Sequence, residues 1–199
     1  RSGNWPRKLL MPVRGKTLGI FGLGRIGGSL AVRAAALGLK VIATDLCPNH
    51  EFVRTHKIEL VDFDTLLQRS DFLSVHCPLN DTTRGIFQRS VFEKMKPGSV
   101  FINTSRGDVV VEKDLVEALQ TGRLRGAGLD VYQQEPPGNL HPLYALDNVV
   151  LSPHLAGTDE TSLEAMASEA ADCIIQLFRG QWPERAVVNP SIRDGWRWS

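Results

Sequence analysis

Apolar residues follow two alternating patterns along the chain. Short runs that are apolar throughout are separated by longer stretches in which apolar residues recur every three or four positions. The first pattern is typical of strands covered on both faces of a parallel sheet, and the second of helices with one buried face. Strands are predicted over Leu18–Phe21, Lys40–Thr44, Ile58–Leu60, Phe72–Val75, Ser99–Asn103, Gly126–Val131 and Val149–Leu151.

Helices are predicted between and after these strands. They cover Ser29–Leu39, Glu51–His56, a segment capped by Asp62 or Asp64 that runs through Gln68, Arg89–Met95, Glu112–Thr121 and Thr158–Arg179. The last helix is expected to face the core, because Leu163, Ala167, Ile174 and Phe178 recur at helical spacing. Alternating strands and helices predict an α/β fold built on a doubly wound parallel sheet with right-handed crossovers. Ligands of such sheets bind outside the carboxyl ends of the strands.

The segment Lys16–Gly27 places Gly22, Gly24 and Gly27 between the first strand and the first helix. Glycines at this spacing favour diphosphate binding. The first permits a sharp turn, the second lets the backbone approach a pyrophosphate, and the third lets the helix pack close to its strand. The free amides and the positive dipole end of the helix then face the anion. In a chain with 18 glycines among 199 residues the pattern alone is weak evidence, so its strand-and-helix context decides.

Asp45 follows the second predicted strand. An acidic side chain there accepts hydrogen bonds from the ribose hydroxyls of adenosine and repels a 2′-phosphate, which predicts NAD rather than NADP. In the alternative interpretation, Asp45 is an ordinary turn residue before Pro48 and Asn49.

Charge and composition exclude several classes of protein. With 23 basic and 22 acidic residues and no sustained run of either sign, the chain has no electrostatic footprint for nucleic acid. No apolar stretch approaches the roughly 20 residues that span a bilayer, and the N-terminal segment lacks the apolar core of a signal peptide. No membrane association and a cytoplasmic location are therefore expected. Cys47, Cys77 and Cys173 are odd in number and widely spaced, which disfavours a disulfide framework or a zinc site, and a metal site at His76 and Cys77 is also disfavoured.

Three side chains beside predicted strand ends are candidates for catalysis. Arg106, in NTSRG, can grip a carboxylate with both arms of its guanidinium, and the alternative is a surface ion pair with Asp108. His154, in LSPHLAG, can act as general acid and base near neutral pH. Glu135 can accept the proton of the other ring nitrogen and stabilise the imidazolium. The alternative for His154 is a hydrogen-bonded core histidine.

The remaining polar candidates are less specific. Asp130, at the end of GAGLDV, can hydrogen-bond the nicotinamide end of a dinucleotide or cap a turn. The other histidines have no acidic partner at a suggestive spacing and are interpreted as structural or solvated. They are His50, His56, His76 and His141.

Five motifs, in this order, resemble the cofactor domain of the D-2-hydroxyacid dehydrogenases, a family that includes phosphoglycerate dehydrogenase and glyoxylate/hydroxypyruvate reductases. They are GLGRIG with Asp45, HCPLNDTT, NTSRGDVV, GAGLDVYQQEPP and LSPHLAG, and they extend over nearly the whole chain. The resemblance implies a Rossmann-type fold. It implies that Arg106 binds the substrate carboxylate and carbonyl, that His154 is the acid and base, and that Glu135 is its partner. The residues it implies around NAD are Gly22, Gly24, Arg25, Ile26, Gly27, Asp45, Cys77, Pro78, Thr83, Thr104, Ser105, Asp130 and Gly157.

The activity implied by the resemblance is the NAD-dependent interconversion of a D-2-hydroxy acid and its 2-keto acid. The similar formate dehydrogenases pair the histidine with a glutamine, so Glu135 disfavours that branch. A second hypothesis is an NAD(H)-sensing dimeric scaffold, similar to the corepressors that resemble these enzymes.

The predicted domains are a lead-in segment over residues 1–15, an NAD-binding domain over 16–180 and a return segment over 181–199. The family carries a substrate lobe built mostly from residues before the cofactor domain. The chain is therefore expected to be a single cofactor lobe that binds NAD but turns over little by itself. Its expected partners are a small 2-hydroxy or 2-keto acid, the substrate lobe of the same protein, and a second copy in a homodimer.

Overall fold

The computed structural model describes residues 10–184 and 186–196. Within them, the strands are β1 (Thr17–Phe21), β2 (Lys40–Thr44), β3 (Glu59–Leu60), β4 (Phe72–Val75), β5 (Val100–Asn103), β6 (Gly126–Leu129) and β7 (Val149–Leu151). They form one sheet in the order β3-β2-β1-β4-β5-β6-β7, and every pairing is parallel. This is the strand order of a Rossmann-type doubly wound sheet, so the predicted fold class is confirmed.

The α-helices of the described residues are α1 (Arg25–Ala36), α2 (His50–Thr55), α3 (Phe63–Arg69), α4 (Arg89–Lys94), α5 (Glu112–Gln120) and α6 (Glu160–Phe178). Their ends lie close to the predicted ones except in α1, which begins directly after the glycine turn rather than at Ser29. The described residues also contain three short 3₁₀ helices that were not predicted, Gly107–Val109, Pro142–Ala145 and Pro190–Gly195. In the described part of the chain, no helix is long and apolar enough to cross a membrane.

Polar side chains fix where several helices begin. The Asp62 carboxylate accepts hydrogen bonds from the N–H and the hydroxyl of Thr65, both at 2.8 Å, so Asp62 rather than Asp64 caps α3. Asn49 caps α2 and Asp159 caps α6 through the same kind of contact. The start of α1 has no side-chain cap, which leaves its first amides available to a ligand.

Among the described residues, two clusters of buried apolar side chains pack helices α1 to α5 against the sheet. One surrounds β4 to β6 and includes Phe87, Phe92 and Phe101, whose rings meet with centroids 5.1 and 5.4 Å apart. The other packs α1 against β1 and β2 through residues such as Ile20 and Ala31. Burial of each large apolar side chain contributes about 1.5 to 3 kcal/mol. These clusters therefore fix the relative positions of the strand ends that carry the candidate site.

The chain divides into two compact units, one ending at His154 and one beginning at Leu155. The second unit contains α6, of which no residue is buried; Leu163 is 50% exposed and Phe178 is 66% exposed. The prediction that this helix faces the core is therefore wrong. Helical spacing of apolar residues identifies an amphipathic helix, but it does not identify what covers the apolar face. The predicted domain boundaries at residues 15 and 180 differ from this division and stay predictions.

Candidate active site and cofactor-binding edge

The carboxyl ends of the strands lie side by side along one edge of the sheet. Phe21, the last residue of β1, is in register with Thr44 of β2 and Val75 of β4. Val75 is in register with Asn103 of β5, and the register continues through β6 to β7. We call this side of the sheet the carboxyl edge. The first residues after these strands lie along it, and they are Gly22, Asp45, His76, Thr104, Asp130 and Ser152.

The glycine turn sits where the strand order reverses, between β1 and β4. Gly22 has φ of +98°, and a Cβ there would lie 2.8 Å from the backbone of both His76 and Cys77. A Cβ at Gly27 would lie 2.1 Å from the carbonyl oxygen of Gly22, so α1 packs directly on the turn. Two of the three glycines are therefore required by the protein's own packing, at the point of the sheet where such folds bind ligands.

Gly24 is different, because a Cβ there would meet nothing within 4 Å. It is the N-cap of α1, without a side-chain hydrogen bond and without an acidic residue in the first helical turn. Arg25 and Ile26, which open the helix, are exposed, Ile26 by 69%. An uncapped helix N-terminus with open space, a basic neighbour and no acidic residue in its own first turn fits the diphosphate of a dinucleotide.

Asp45 is tied to the glycine turn. One of its carboxylate oxygens accepts a hydrogen bond from the Leu23 N–H at 2.6 Å, and the other accepts from the Cys47 N–H at 2.8 Å. The hydrogen bond from Cys47 closes a local turn, which agrees with the alternative interpretation of Asp45 as a turn residue. The hydrogen bond from Leu23 joins the ends of β1 and β2, so the residue has a role at the carboxyl edge beyond its own turn.

Hydrogen bonds of the Thr83 side chain stabilise the loop after β4. The hydroxyl of Thr83 donates to the carbonyl oxygen of Pro78 at 2.7 Å and accepts from the N–H of Asn80 at 2.9 Å, and Thr83 is buried. Cys77 is also buried, and burial raises the pKa of its thiol to about 11. The Cys77 side chain is therefore an apolar wall beside the glycine turn rather than a nucleophile.

Asn103 shapes the loop that carries Arg106. Its side-chain oxygen accepts from the N–H and the hydroxyl of Ser105 at 3.0 and 2.8 Å, and its amide donates to the Arg106 carbonyl at 2.9 Å. The Arg106 side chain is exposed, and its guanidinium donates to the Ser105 carbonyl at 2.7 Å. Asp108 forms its ion pair with Arg84. The alternative in which Arg106 forms a surface ion pair with Asp108 is therefore wrong. The Arg106 guanidinium is exposed and is not paired with that carboxylate.

His154 and Glu135 form the predicted pair. Nδ1 of His154 lies 2.7 Å from one carboxylate oxygen of Glu135, and the other oxygen accepts from the Tyr132 N–H at 3.0 Å. The hydrogen bond from His154, followed by that from Tyr132, lowers the pKa of Glu135 below its ordinary value. The two side chains are 49% and 36% exposed, so His154 is not a core histidine. With Nδ1 engaged, Nε2 is the nitrogen that can exchange a proton with a ligand.

The backbone around His154 is constrained. His154 has φ of +56°, in the left-handed region that few residues other than glycine adopt, and its N–H donates to the Asp130 carbonyl at 2.8 Å. The Asp130 side chain is buried and accepts from the hydroxyl of Ser152. Gly157, the last predicted cofactor residue, belongs to the second unit.

The family of the chain follows from comparison with known proteins. Residues 1–156 match the family described as D-isomer specific 2-hydroxyacid dehydrogenase, NAD binding domain. The chain belongs to this family. It is 41% identical to D-3-phosphoglycerate dehydrogenase of Archaeoglobus fulgidus, over 96% of the chain and 37% of that protein. It is 39% identical to glyoxylate reductase of Korarchaeum cryptofilum, over 97% of the chain and 60% of that protein.

Solved structures of D-2-hydroxyacid dehydrogenases share the fold. D-lactate dehydrogenase with NAD+ from Lactobacillus jensenii matches with a TM-score of 0.84 at 30% identity, over 90% of the chain and 58% of that structure. The resemblance predicted from the motifs is confirmed, and with it an NAD-binding domain of this family. The chain spans 37% to 60% of the length of the two curated relatives above.

One acid–histidine pair in this dehydrogenase domain was missed. His141 was predicted to lack an acidic partner, but its Nε2 lies 3.2 Å from a carboxylate oxygen of Glu112. The prediction was wrong because the two residues are 29 positions apart and the contact depends on how the loop after β6 folds back on α5. No local pattern in the sequence indicates such a contact.

The other histidine at the carboxyl edge, His76, contacts a neighbouring side chain of its own strand segment. Nε2 of His76 lies 2.8 Å from the Ser74 hydroxyl, and burial lowers the pKa of His76 below its ordinary value. Among residues 10–184 and 186–196, no three or more His, Cys, Asp or Glu side chains are grouped so that they could hold a metal ion.

Proposed function

We propose that this chain is the NAD-binding part of an oxidoreductase that interconverts a D-2-hydroxy acid and its 2-keto acid. The observation that carries the proposal is the 2.7 Å hydrogen bond between His154 and Glu135, at the carboxyl edge that also holds the glycine turn and the Arg106 loop. An imidazole paired with a carboxylate can move a proton to or from an oxygen while a hydride moves at the adjacent carbon.

Each of the three candidate residues has one role in this proposal. Bound NAD supplies the acceptor for the hydride of the hydroxy acid and, when reduced, the donor to the keto carbon. Nε2 of His154 takes the hydroxyl proton during oxidation and returns it during reduction. Glu135 remains ionised, holds Nδ1 and stabilises the imidazolium. Arg106 binds the substrate carboxylate through its planar fork.

The cofactor contacts are also part of the proposal. The uncapped start of α1 would hold the diphosphate, and Asp45 would bind the adenosine ribose and disfavour a 2′-phosphate. The full set proposed around NAD is Gly22, Gly24, Arg25, Ile26, Gly27, Asp45, Cys77, Pro78, Thr83, Thr104, Ser105, Asp130 and Gly157.

The substrate and partners follow from the family rather than from contacts in this chain. Because the chain spans 37% of one relative and 60% of another, we propose a second, substrate-binding lobe in the whole protein. That lobe would complete the cleft, exclude water and select the 2-hydroxy acid. The chain alone would bind NAD and turn over little. A homodimer is also proposed from the family resemblance, and the cytoplasmic location stays a prediction from the sequence.

The scaffold hypothesis has no comparable support. The relatives reported above are named as a dehydrogenase and a reductase. The paired His154 and Glu135, with the left-handed backbone at His154, give the site an acid–base geometry that a binding scaffold does not need.

The proposal is tested on the whole protein by NADH oxidation with a panel of 2-keto acids. We expect turnover with at least one of them, and His154→Asn should lower kcat/KM by about 100- to 10,000-fold. His56→Asn, which changes an exposed histidine at the end of α2, is the matched control and should leave kcat/KM unchanged. Tight NADH binding without turnover of any 2-keto acid would contradict the proposal and leave the scaffold hypothesis ahead.

A further inference from the structure

A second histidine–carboxylate pair lies next to the proposed catalytic pair and takes no part in the reaction proposed above. The side chains of His141 and Glu112 are 15% and 16% exposed. Glu112 is the first residue of α5, where the helix dipole favours a negative charge, but a carboxylate this far removed from water still needs hydrogen-bond donors. It has the Gln133 N–H at 2.7 Å on one oxygen and Nε2 of His141 at 3.2 Å on the other.

The contacts on the far side of the His141 ring set its orientation. Nδ1 accepts a long hydrogen bond of 3.4 Å from the Leu143 N–H, at the start of the 3₁₀ helix Pro142–Ala145. An acceptor at Nδ1 places the ring proton on Nε2, so His141 donates to Glu112. The ring also contacts Tyr132 and Tyr144, with centroids 6.2 and 5.8 Å away. His141 therefore holds the Glu112 carboxylate in one orientation.

The Tyr132–Gln133 peptide joins this pair to the proposed catalytic residues. Its N–H donates to Glu112, while the N–H one residue earlier, that of Tyr132, donates to Glu135. In return, the side-chain oxygen of Gln133 accepts from the Glu112 N–H at 3.4 Å. On the opposite side, a Cβ at Gly107 would lie 1.9 Å from the Tyr132 carbonyl oxygen. The peptide is thus held between Glu112 and the bare backbone of the loop that carries the candidate arginine.

We propose that Glu112, seated by His141, is a positioning residue for the proposed catalytic histidine. It fixes the Tyr132–Gln133 peptide, whose neighbouring N–H holds Glu135 where its carboxylate meets Nδ1 of His154. The consequence for catalysis rests on the function proposed above. The alignment itself can be measured without NAD or substrate.

The measurement is the position of the proton on the neutral His154 ring, read by long-range ¹H–¹⁵N correlation NMR of the 199-residue chain. Wild type should carry it on Nδ1, which donates to Glu135. Glu112→Ala should move the signal toward the Nε2–H form. Asp114→Ala is the matched control, since Asp114 lies on the same turn of α5 but accepts from the Arg89 N–H. It should leave the His154 signal as in wild type.

A second pair of variants keeps the test decisive if Glu112→Ala does not fold. His141→Asn keeps an acceptor where Nδ1 lies but loses the donor to Glu112, and His141→Gln keeps the donor where Nε2 lies but loses the acceptor. We expect His141→Asn to shift the His154 signal and His141→Gln to preserve it.

Two results would overturn the inference. If folded Glu112→Ala and His141→Asn variants both retain the wild-type His154 signal, Glu112 does not position the pair, and the proposed function is unaffected. If wild type itself carries the proton on Nε2, the His154–Glu135 pairing fails, and the proposed function loses its main support as well.

Discussion

The carboxylate of Asp45 accepts a hydrogen bond from the backbone N–H of Leu23, 2.6 Å away in the glycine turn. Its other oxygen closes the local turn at Cys47. One side chain therefore fixes its own loop and the loop proposed to hold the cofactor diphosphate. The sequence allows two interpretations of Asp45, as a residue that selects the cofactor and as a turn residue. The same carboxylate can have both roles.

Replacing Asp45 should change both affinity and selectivity. In Asp45→Ala the Leu23 N–H loses its acceptor and the repulsion of a 2′-phosphate disappears. We expect NAD affinity to fall about tenfold, or about 1.4 kcal/mol, and the preference for NAD over NADP to narrow. Calorimetric titration with both cofactors measures this, with Asp64→Ala on α3 as a control for loss of one negative charge. Unchanged selectivity in Asp45→Ala would remove the proposed role of Asp45.

Replacing Glu135 should alter the pH profile of the whole enzyme. Its hydrogen bonds to His154 and Tyr132 lower the pKa of Glu135, so it stays ionised throughout the working range. Glu135→Gln keeps an oxygen acceptor but removes the charge that stabilises the imidazolium. We expect the limb of the kcat/KM profile that depends on this proton transfer to move to lower pH. Glu93→Gln, an exposed change on α4, should leave the profile in place, and an unshifted profile in Glu135→Gln would argue against the pairing.

Asp71 links stability to pH. Its carboxylate accepts from the Thr17 N–H at 2.9 Å and from the Lys96 ammonium at 2.7 Å, and the side chain is 10% exposed. Desolvation raises the pKa of Asp71, but the hydrogen bonds from Lys96 and Thr17 outweigh it, so the pKa of Asp71 lies below its ordinary value. A carboxyl whose pKa is lowered on folding adds stability at pH values above its unfolded pKa, and that stability is lost as the pH falls through the folded pKa.

We expect Asp71→Asn to lower the free energy of unfolding by about 2 kcal/mol at neutral pH. The difference from wild type should begin to shrink below about pH 4, where the carboxyl of the unfolded chain takes up a proton, and should be lost as the pH falls through the lower pKa of the folded state. Urea unfolding followed by circular dichroism at several pH values measures this. The exposed Asp64–Lys94 pair provides the control, because Asp64→Asn should change stability by less than about 1 kcal/mol. A pH-independent difference between wild type and Asp71→Asn would show that Asp71 acts through packing alone.

The cysteines offer a chemical probe of the carboxyl edge. Cys47 is exposed two residues after Asp45, whereas Cys77 is buried with its pKa raised to about 11. In a Cys173→Ser background, a thiol reagent at neutral pH should modify Cys47 much faster than Cys77. Saturating NAD should slow the modification of Cys47. Mass spectrometry of alkylated peptides reports both rates, and reaction of Cys77 as fast as that of Cys47 would contradict the described burial.

Much of the fold could be predicted because its determinants are local. The strands β2, β4 and β7 have the predicted bounds, since each is a short, mostly apolar run that is followed directly by a polar residue. The start of α1 was placed too late because Gly27 and Gly28 have low helix propensity. In the structure both are buried, Gly27 against the turn and Gly28 beside Phe52, so close packing outweighs propensity.

The site was predictable where its residues follow strand ends, and not where contacts join distant segments. His154 and Glu135 are both marked by turn-forming neighbours, and their pairing could be proposed from chemistry. The Glu112–His141 contact depends on a loop conformation that includes an unpredicted 3₁₀ helix. For α6 the spacing indicated an apolar face, but the covering surface is not encoded in the helix itself.

The most direct test of the central claim is titration of NAD+ into the ¹⁵N-labelled chain, followed by backbone amide chemical shifts. The account predicts saturable shifts concentrated at the carboxyl edge, in the glycine turn Gly22–Ile26, at Thr104–Arg106 and at Asp130. Shifts concentrated elsewhere would contradict it, for example in the groove between α4 and α5 that Arg89 and Glu117 line. So would the absence of any saturable shift.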